Sequence, residues 1–500
     1  MNKKYETLWT YLEKARAFHT ALALFEWDDE TLAPEAAGPY TAKVIGTLSQ
    51  EYQQVMTCKE VRELVEQCKK AHDLSETEAA IVRETDREIH LLSCIPANEY
   101  REYTELTAEG SRIWAEAKKK KDFSMFAPTL KKIIAFQKKF AAYRAGEGQK
   151  LYDVMLDQYE RGFDTEHLDL FFDRLRGEIV PFLQKLMDEG KEISQDFLVG
   201  DWSDEKQETI GRFLAEYVGF DFEKGVLAVS AHPFTTNLHN HDVRITTNYN
   251  ERIDDSIFSV IHEAGHGLYE LGIRDDLTQT IVGEGASMAM HESQSRFFEN
   301  IIGRNPSFWK PVYGKLQELF PQFGEISLET FIQAVNKVQP SLIRTQADEL
   351  TYSIHVMIRY EIEKMLIEGD LEVEQLPEVW ADKYEEYLGV RPQNASEGVL
   401  QDIHWSQGSF GYFPSYALGS AFGAQMYAFM KQQMDFEELL ETGEIHVIRE
   451  YLREHVHQYG RLKTSQQILE DMTGETFNPQ YYIDYLKEKY GALYFDTPVS

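Results

Sequence analysis

Residues 260–271, VIHEAGHGLYEL, predict an amphipathic helix that presents two histidines on one face. His262 and His266 are four positions apart, and side chains at that spacing lie one above the other on a helix. An apolar stripe occupies the adjoining face: Ile257, Ile261, Ala264, Leu268 and Leu271. The stripe predicts that this helix packs into the core, so both imidazoles would be held at one place.

Two glycines, Gly265 and Gly267, lie beside the histidines, although each costs up to ~1 kcal/mol in a helix interior. Their position indicates that another part of the chain approaches this helix closely. Gly272, directly after the segment, is typical of a helix end.

Most of the remaining chain has helical composition. Residues 47–109 contain no glycine and a single proline, Pro96. Further helices are expected at 111–145, 165–195, 203–218, 328–340, 347–368, 372–388, 418–434 and 444–456. The β-branched segments 225–230 (GVLAVS) and 242–249 (DVRITTNY) predict a short antiparallel ribbon just before the histidine helix. No repeat or linker divides the chain, so we expect one mostly α-helical domain over residues 1–500.

Charge and composition exclude several classes of partner. The formal net charge is −33 and the sequence pI is about 4.9, whereas nucleic acids and anionic membranes bind basic surfaces. The sequence contains no run of ~18 apolar residues, and its N-terminus lacks the apolar core of a signal peptide. Cys58, Cys68 and Cys94 show no C-x-x-C spacing, which fits a reducing compartment. We therefore expect a cytoplasmic protein that binds neither membranes nor nucleic acid.

His262, Glu263 and His266 form the order H-E-x-x-H, which holds zinc in metallopeptidases. Glu263 lies ~100° around the helix from His262, where it could act on a metal-bound water without ligating the ion. A catalytic zinc site usually has three protein ligands and keeps one position for water. The variant with a third histidine six residues further on is excluded, because position 272 is glycine.

The third ligand is expected on the next helix, SMAMHESQSRFFENIIG at 287–303. That helix offers Glu292 and Glu299, while Glu284 lies in the glycine-bearing loop before it. Glu292 is the predicted ligand, because it lies far enough into its helix to turn back on the first one. His291 beside it is a candidate for the layer of groups that hold metal ligands in place.

Attack of water on a carbonyl also needs a donor for the oxyanion that forms. The aromatic, glycine-rich segment 398–420 contains His404, Tyr412 and Tyr416, which are suitable neutral donors. Its other aromatic residues are predicted to be core: Trp405, Phe410 and Phe413.

A further segment, SLIRTQADELTY at 341–352, places Arg344 and Asp348 four residues apart, the spacing of a helical ion pair. Ile343 and Ala347 flank the arginine and predict its partial burial. Asp348 is then expected to hold the guanidinium in place.

Six segments together resemble, in chain order, the motifs of the Taq-type (thermostable) metallocarboxypeptidases. They are HPF (232–234), DVRIT (242–246), HEAGH (262–266), HESQSR (291–296), IRTQADE (343–349) and GVLQDIHW (398–405). Residues 25–38, FEWDDETLAPEAAG, loosely resemble the N-terminal signature of the family. The resemblance spans essentially the whole chain and shows no departure at the predicted ligands.

The resemblance implies a two-lobed helical protein with a deep central groove, similar to angiotensin-converting enzyme and neurolysin. It implies a homodimer with one divalent ion per chain, normally Zn²⁺ with Co²⁺ as a substitute. The implied activity is removal of C-terminal residues, with broad specificity, from peptides that have a free C-terminus. Two alternatives are a helical zinc endopeptidase or dipeptidase with the same metal site, and a catalytically silent peptide-binding protein.

Roles for individual residues follow from the motifs and the resemblance together. The predicted metal ligands are His262, His266 and Glu292, with Glu263 as the general base. The predicted oxyanion donors are His404 and Tyr416, with Tyr412 as the alternative tyrosine. The predicted substrate-binding residues are Arg344 for the terminal carboxylate, Arg244 as the second candidate, and His232.

Overall fold

The computed structural model describes residues 2–369 and 371–495, and most of them are helical. The α-helices of these residues are numbered α1–α20 in chain order. They span Lys3–Thr31, Gly38–Thr57, Lys59–Cys68, Glu76–Ser93, Ala97–Lys120, Ala127–Arg144, Leu151–Asp157, Thr165–Glu189, Asp204–Val218, Ile253–Leu271, Met288–Arg296, Pro306–Leu319, Leu328–Val335, Glu349–Ile367, Leu376–Leu388, Pro414–Gln433, Phe436–Glu441, Ile445–His455, Ser465–Thr473 and Gln480–Tyr494. Within the described ranges, no helix is long and apolar enough to cross a membrane.

The described chain divides into two compact units. Unit 1 contains residues 2–93, 195–335 and 429–476, and unit 2 contains residues 94–194, 336–428 and 477–495. Because each unit is assembled from three separate stretches, the chain passes between them several times. The sequence therefore shows no single linker between the two units.

A three-stranded sheet in unit 1 consists of β1 (Gly225–Val229), β2 (Thr235–His239) and β3 (Asp242–Thr247) in the order β1-β3-β2. β2 and β3 are antiparallel, whereas β1 and β3 are parallel. The expected antiparallel pairing of segments 225–230 and 242–249 is therefore wrong. The stretch between them, which was expected to connect them, forms β2 and turns into β3 as a tight hairpin. β1 is left on the other edge, running in the same direction as β3.

The histidine helix is α10, and it packs against β2, β3, α9 and α11. The predicted apolar stripe is confirmed for Ile257, Ile261, Ala264 and Leu268, which are buried, whereas Leu271 at the end of the helix is only half-buried. A Cβ atom added at Gly265 would lie 2.7 Å from the backbone oxygen of Gln294 in α11. The predicted close approach is thus a backbone-to-backbone contact between α10 and α11.

In unit 2, α14 is buried along most of its length and packs against α6, α7, α8 and α15. Trp405, Phe410 and Phe413 are core residues of this unit, as predicted. A short 3₁₀ turn, His404–Gln407, precedes α16 and carries the first of the predicted oxyanion donors.

Candidate metal centre

Three predicted ligands meet in unit 1. His262 and His266 of α10 and Glu292 of α11 each place a ligand atom within 4.8 Å of the other two. Glu292 Oε2 lies 3.8 Å from His262 Nε2 and 3.5 Å from His266 Nε2. Two ligand atoms bound at the usual zinc distances in a tetrahedron are ~3.4 Å apart. The three side chains therefore have spacing and chemistry that could hold a metal ion.

Protonation in this cluster also suits a cation. Burial lowers the pKa of His266 to about 3, so its imidazole is neutral. Burial alone would raise the pKa of Glu292, but Arg296 and the two histidines hold it well below its usual range. Burial of His262 is outweighed by Glu299 and Glu292, which raise its pKa above the ordinary value. An ionised carboxylate is thus ready to bind, and metal binding must compete with protons at His262.

The alternative carboxylates have other roles. Glu299 Oε2 lies 2.8 Å from His262 Nδ1, on the side of the ring opposite Nε2, and it also accepts hydrogen bonds from Arg296 and Arg304. Glu299 therefore orients the His262 ring through Nδ1 and leaves Nε2 directed at Glu292. Glu284 forms ion pairs with Arg16 and Arg461, and these pairs engage both of its oxygens.

Glu263 is 5% exposed and lies beside the cluster. The Thr235 hydroxyl of β2 donates to its Oε2 over 2.7 Å. Burial raises the pKa of Glu263, partly offset by His262 and Thr235. Among the described residues, none donates a hydrogen bond to Oε1, so this oxygen is free to exchange a proton with a substrate or water.

The sequence analysis missed several of the supporting groups. Arg296, whose Nε lies 2.7 Å from Glu292 Oε1, stands four positions after its partner, so helical spacing would have revealed it. Thr235 shows no such signal, because it reaches Glu263 from β2. Arg304 stands five positions after Glu299, at the end of the π-helical segment Phe297–Gly303, so α-helical spacing does not predict that pair.

The predicted oxyanion donors lie together in unit 2. His404 Nε2 is 3.4 Å from the Tyr416 hydroxyl, and the rings of Tyr412 and Tyr416 are 5.2 Å apart. Burial, opposed by Asp402, lowers the pKa of His404 to about 4, which keeps its ring neutral near pH 7. Its Nδ1 is buried without a partner in the described chain.

The expected pair of Arg344 and Asp348 is wrong. Arg344 lies in a 3₁₀ turn, Arg344–Gln346, and Asp348 is the N-cap of α14, where it accepts from the Thr351 backbone amide. Arg344 instead donates from Nε and Nη2 to Asp402 Oδ1, over 3.0 and 2.9 Å. Its third nitrogen donates to the Tyr352 hydroxyl over 3.0 Å. The predicted burial is confirmed, since Arg344 is only 6% exposed.

The other two substrate-binding candidates lie in unit 1. Arg244 of β3 donates to both oxygens of Asp242, over 2.8 and 2.9 Å, and its guanidinium lies 5.7 Å from the Trp27 ring centre. Its side chain is 22% exposed. His232 is exposed, and its backbone carbonyl accepts a hydrogen bond from Ser230.

Known proteins match this chain along its whole length. The carboxypeptidase Taq (M32) metallopeptidase profile covers residues 7–490. Carboxypeptidase 1 of Bacillus subtilis is 42% identical over 487 residues, 97% of each chain. Thermostable carboxypeptidase 1 of Pyrococcus furiosus is 37% identical over 492 residues, also 97% of each chain. The crystal structure of an M32 carboxypeptidase from Deinococcus radiodurans has a TM-score of 0.96 and 32% identity, covering 98% of this chain and 99% of that one.

A buried H-E-x-x-H helix, with a glutamate of the next helix beside both histidines, is typical of metallopeptidases. The chain belongs to the carboxypeptidase Taq (M32) metallopeptidase family. It is a metallocarboxypeptidase, a hydrolase that acts on peptides.

Proposed function

We propose that the enzyme binds one Zn²⁺ per chain through His262, His266 and Glu292 and removes C-terminal residues from peptides with broad specificity. The observation that carries the proposal is the convergence of both Nε2 atoms on one Glu292 oxygen, over 3.8 and 3.5 Å. Two imidazole nitrogens and one carboxylate suit zinc, with Co²⁺ as a substitute.

When bound, the ion supplies Lewis acidity that activates water and polarises the scissile carbonyl. Glu263 serves as the general base, because Thr235 holds its Oε2 and leaves Oε1 to take a proton from water and deliver it to the leaving amine. The proposed oxyanion donors are His404 and Tyr416, with Tyr412 as the alternative. A neutral histidine donor and a tyrosine hydroxyl both fit that role.

Recognition of the terminal carboxylate requires a local cation, because the net charge of −33 repels anions. Salt screens that repulsion beyond ~8 Å, so a nearby guanidinium can still bind the carboxylate in bidentate fashion. Arg344 remains the first candidate by resemblance, but all three of its nitrogens are engaged. Arg244 donates from two of its nitrogens to Asp242, but its greater exposure supports it as the alternative, with His232 as a further contact.

We further propose that the two units act as a single catalytic domain of two lobes, in a cytoplasmic homodimer. The H-E-x-x-H motif and the proposed metal ligands belong to unit 1, and the proposed oxyanion donors belong to unit 2.

Matched peptides that differ only at the C-terminus test the proposed reaction. The metal-loaded enzyme should shorten the free-acid peptide and leave the C-terminal amide nearly intact. Equal cleavage of both peptides would instead support the helical endopeptidase. No cleavage of either peptide by metal-loaded protein would support a silent peptide-binding protein.

A further inference from the structure

A hydrogen-bonded chain of three side chains extends behind His266. His266 Nδ1 lies 2.6 Å from Nδ1 of His291, and His291 Nε2 lies 2.7 Å from Oε1 of Glu270. His266 and Glu270 are one turn apart in α10, while His291 belongs to α11. The chain therefore ties the two helices that supply the metal ligands to each other.

Glu270 is the fixed end of this chain. It is 3% exposed, and its Oε1 accepts from the backbone amide of Gly285 over 3.1 Å. Its Oε2 accepts from the side-chain amide of Asn237 in β2. Three donors converge on this buried group, which is the environment of an ionised carboxylate. A carboxylate cannot donate, so His291 must direct an Nε2–H at it.

When His291 is neutral, this constraint fixes the proton positions along the rest of the hydrogen-bonded series. A neutral His291 with its proton on Nε2 offers a lone pair at Nδ1. The 2.6 Å contact between the two Nδ1 atoms holds one proton, which then belongs to His266. His266 is left with a lone pair on Nε2, the nitrogen that lies 3.5 Å from Glu292 Oε2. This is the tautomer that can bind a metal.

We propose that His291 and Glu270 are positioning residues that select the metal-binding tautomer of His266 and thereby set metal affinity. The two histidine ligands are oriented by different means. Glu299 contacts His262 directly, whereas Glu270 acts on His266 through a second imidazole. The proposal rests on the metal site of the proposed function but not on peptide cleavage, because its readout is metal binding by itself.

Zinc affinity of the apo-protein, measured by competition with a chromophoric chelator, tests the proposal. His291→Phe removes the acceptor while keeping a ring, and should weaken zinc binding ~10–100-fold, as loss of an outer-layer partner typically does. His291→Asn places an amide oxygen near the former Nδ1 and should restore part of the affinity. Glu270→Gln should keep most of the zinc affinity, because the glutamine oxygen can still accept a hydrogen bond from His291. The glutamine amide can donate to Asn237 Oδ1, which is buried without a partner among the described residues.

A matched control separates positioning from general loosening of the two helices. His457 is 1% exposed, packs on the Tyr269 ring of α10 and forms a hydrogen bond with Gln294 of α11. It is not part of the hydrogen-bonded series of His266, His291 and Glu270. His457→Gln should bind zinc like the wild type.

Nitrogen NMR of histidine-labelled apo-protein should show His266 protonated at Nδ1 in the wild type but not in His291→Phe. Wild-type zinc affinity in His291→Phe would overturn the proposal, and so would an equal loss in His457→Gln.

Discussion

Glu292 lies in α11 and Glu299 lies seven residues further on, in the π-helical segment Phe297–Gly303, yet they contact opposite sides of the His262 ring. Glu292 faces Nε2 at 3.8 Å, and Glu299 bonds Nδ1 at 2.8 Å. In the sequence, both carboxylates were candidates for the third metal ligand, because both lie in the predicted second helix. The choice between them depends on where α11 packs on α10, and the close contact at Gly265 sets that position.

Replacing these two carboxylates in turn should separate their roles. Glu299→Ala should weaken zinc binding ~10–100-fold, since it removes only a group that orients His262. Glu292→Ala should weaken it further, because a ligand is lost. Zinc affinity and stoichiometry of both purified variants provide the comparison. A larger loss for Glu299→Ala than for Glu292→Ala would show that the ligands have been assigned the wrong way round.

Arg344 is the clearest case in which sequence spacing misled. A separation of four residues pairs side chains only inside a helix, and here the backbone becomes extended at Ala347 before α14 begins. Asp348 is used to cap that helix, and the partner of Arg344 comes from a segment more than fifty residues away, at Asp402. Spacing cannot reveal such a partner.

Because Arg344 belongs to a buried ion pair with Asp402, Arg344→Ala should destabilise the fold. Removing one member of a buried ion pair leaves the other charge uncompensated and typically costs ~3–5 kcal/mol. The free energy of unfolding should therefore fall by about that amount, reduced to the extent that Arg359 continues to pair with Asp402. Arg244→Ala, at a more exposed pair, should cost ~1 kcal/mol or less while raising KM for free-acid peptides only. Unchanged unfolding of Arg344→Ala in denaturant would contradict this account.

At the scale of elements, composition predicted helices well and their ends less well. The stretch 203–218 became α9 at Asp204–Val218, and 444–456 became α18 at Ile445–His455. The stretch 111–145 is instead divided between α5 and α6, because Lys121 adopts a left-handed backbone with φ 58° and ends the first helix. The sheet was harder to predict, since strand direction depends on which neighbours pair and β2 is short and polar.

The contact of α10 with α11 makes a direct prediction at Gly265. A methyl group there would meet backbone atoms of Gln294 and Ser295 at 2.7 and 2.8 Å, and backbone cannot move aside. Gly265→Ala should cost ~1–3 kcal/mol of stability and weaken zinc binding, because the ligands sit on the two helices that are forced apart. Gly314→Ala in α12, where nothing lies within 4 Å, should be neutral or stabilising by up to ~1 kcal/mol. Thermal unfolding and zinc titration of both variants would show whether the two glycines differ.

Glu363 of α14 joins that helix to the segment that carries the proposed oxyanion donors. Its carboxylate accepts hydrogen bonds from Trp405 Nε1, Gly411 N and the Tyr152 hydroxyl, all over 2.8 Å. Burial raises its pKa to about 7, although these donors and Arg359 oppose the shift. Sequence reasoning did not select this residue, because no local pattern distinguishes a glutamate that becomes completely buried.

The raised pKa of Glu363 predicts a dependence of stability on pH. A carboxyl whose pKa is higher in the folded state binds its proton more tightly there, so its contribution is complete below pH ~4.5 and is lost as pH rises through about 7. Relative to Glu363→Gln, the wild type should lose up to about 3 kcal/mol of unfolding free energy between pH 5 and 8. Denaturant unfolding of both proteins across that range measures the difference. A constant difference at all pH values would show that Glu363 does not titrate there.

At the scale of the whole molecule, motif order was more informative than any single motif. H-E-x-x-H alone left the third ligand, the donors and the reaction open, whereas six ordered segments indicated the family that comparison confirms. Those segments are distributed over both compact units, three of them before and three after residue 280. The resemblance implied two lobes, but the boundaries of the two units were not predicted, because they arise from long-range packing and no linker marks them in the sequence.

The central claim, that this metallocarboxypeptidase works from the C-terminus with Glu263 as its base, is tested most directly by time-resolved mass spectrometry of a mixed peptide digest. Metal-loaded wild-type enzyme should produce ladders shortened one residue at a time from the C-terminus. Glu263→Gln should retain its metal and produce almost no ladder over the same period, since the ligands remain and the base is lost. Internal fragments or N-terminal shortening by the wild type, or an undiminished ladder from metal-loaded Glu263→Gln, would contradict the account.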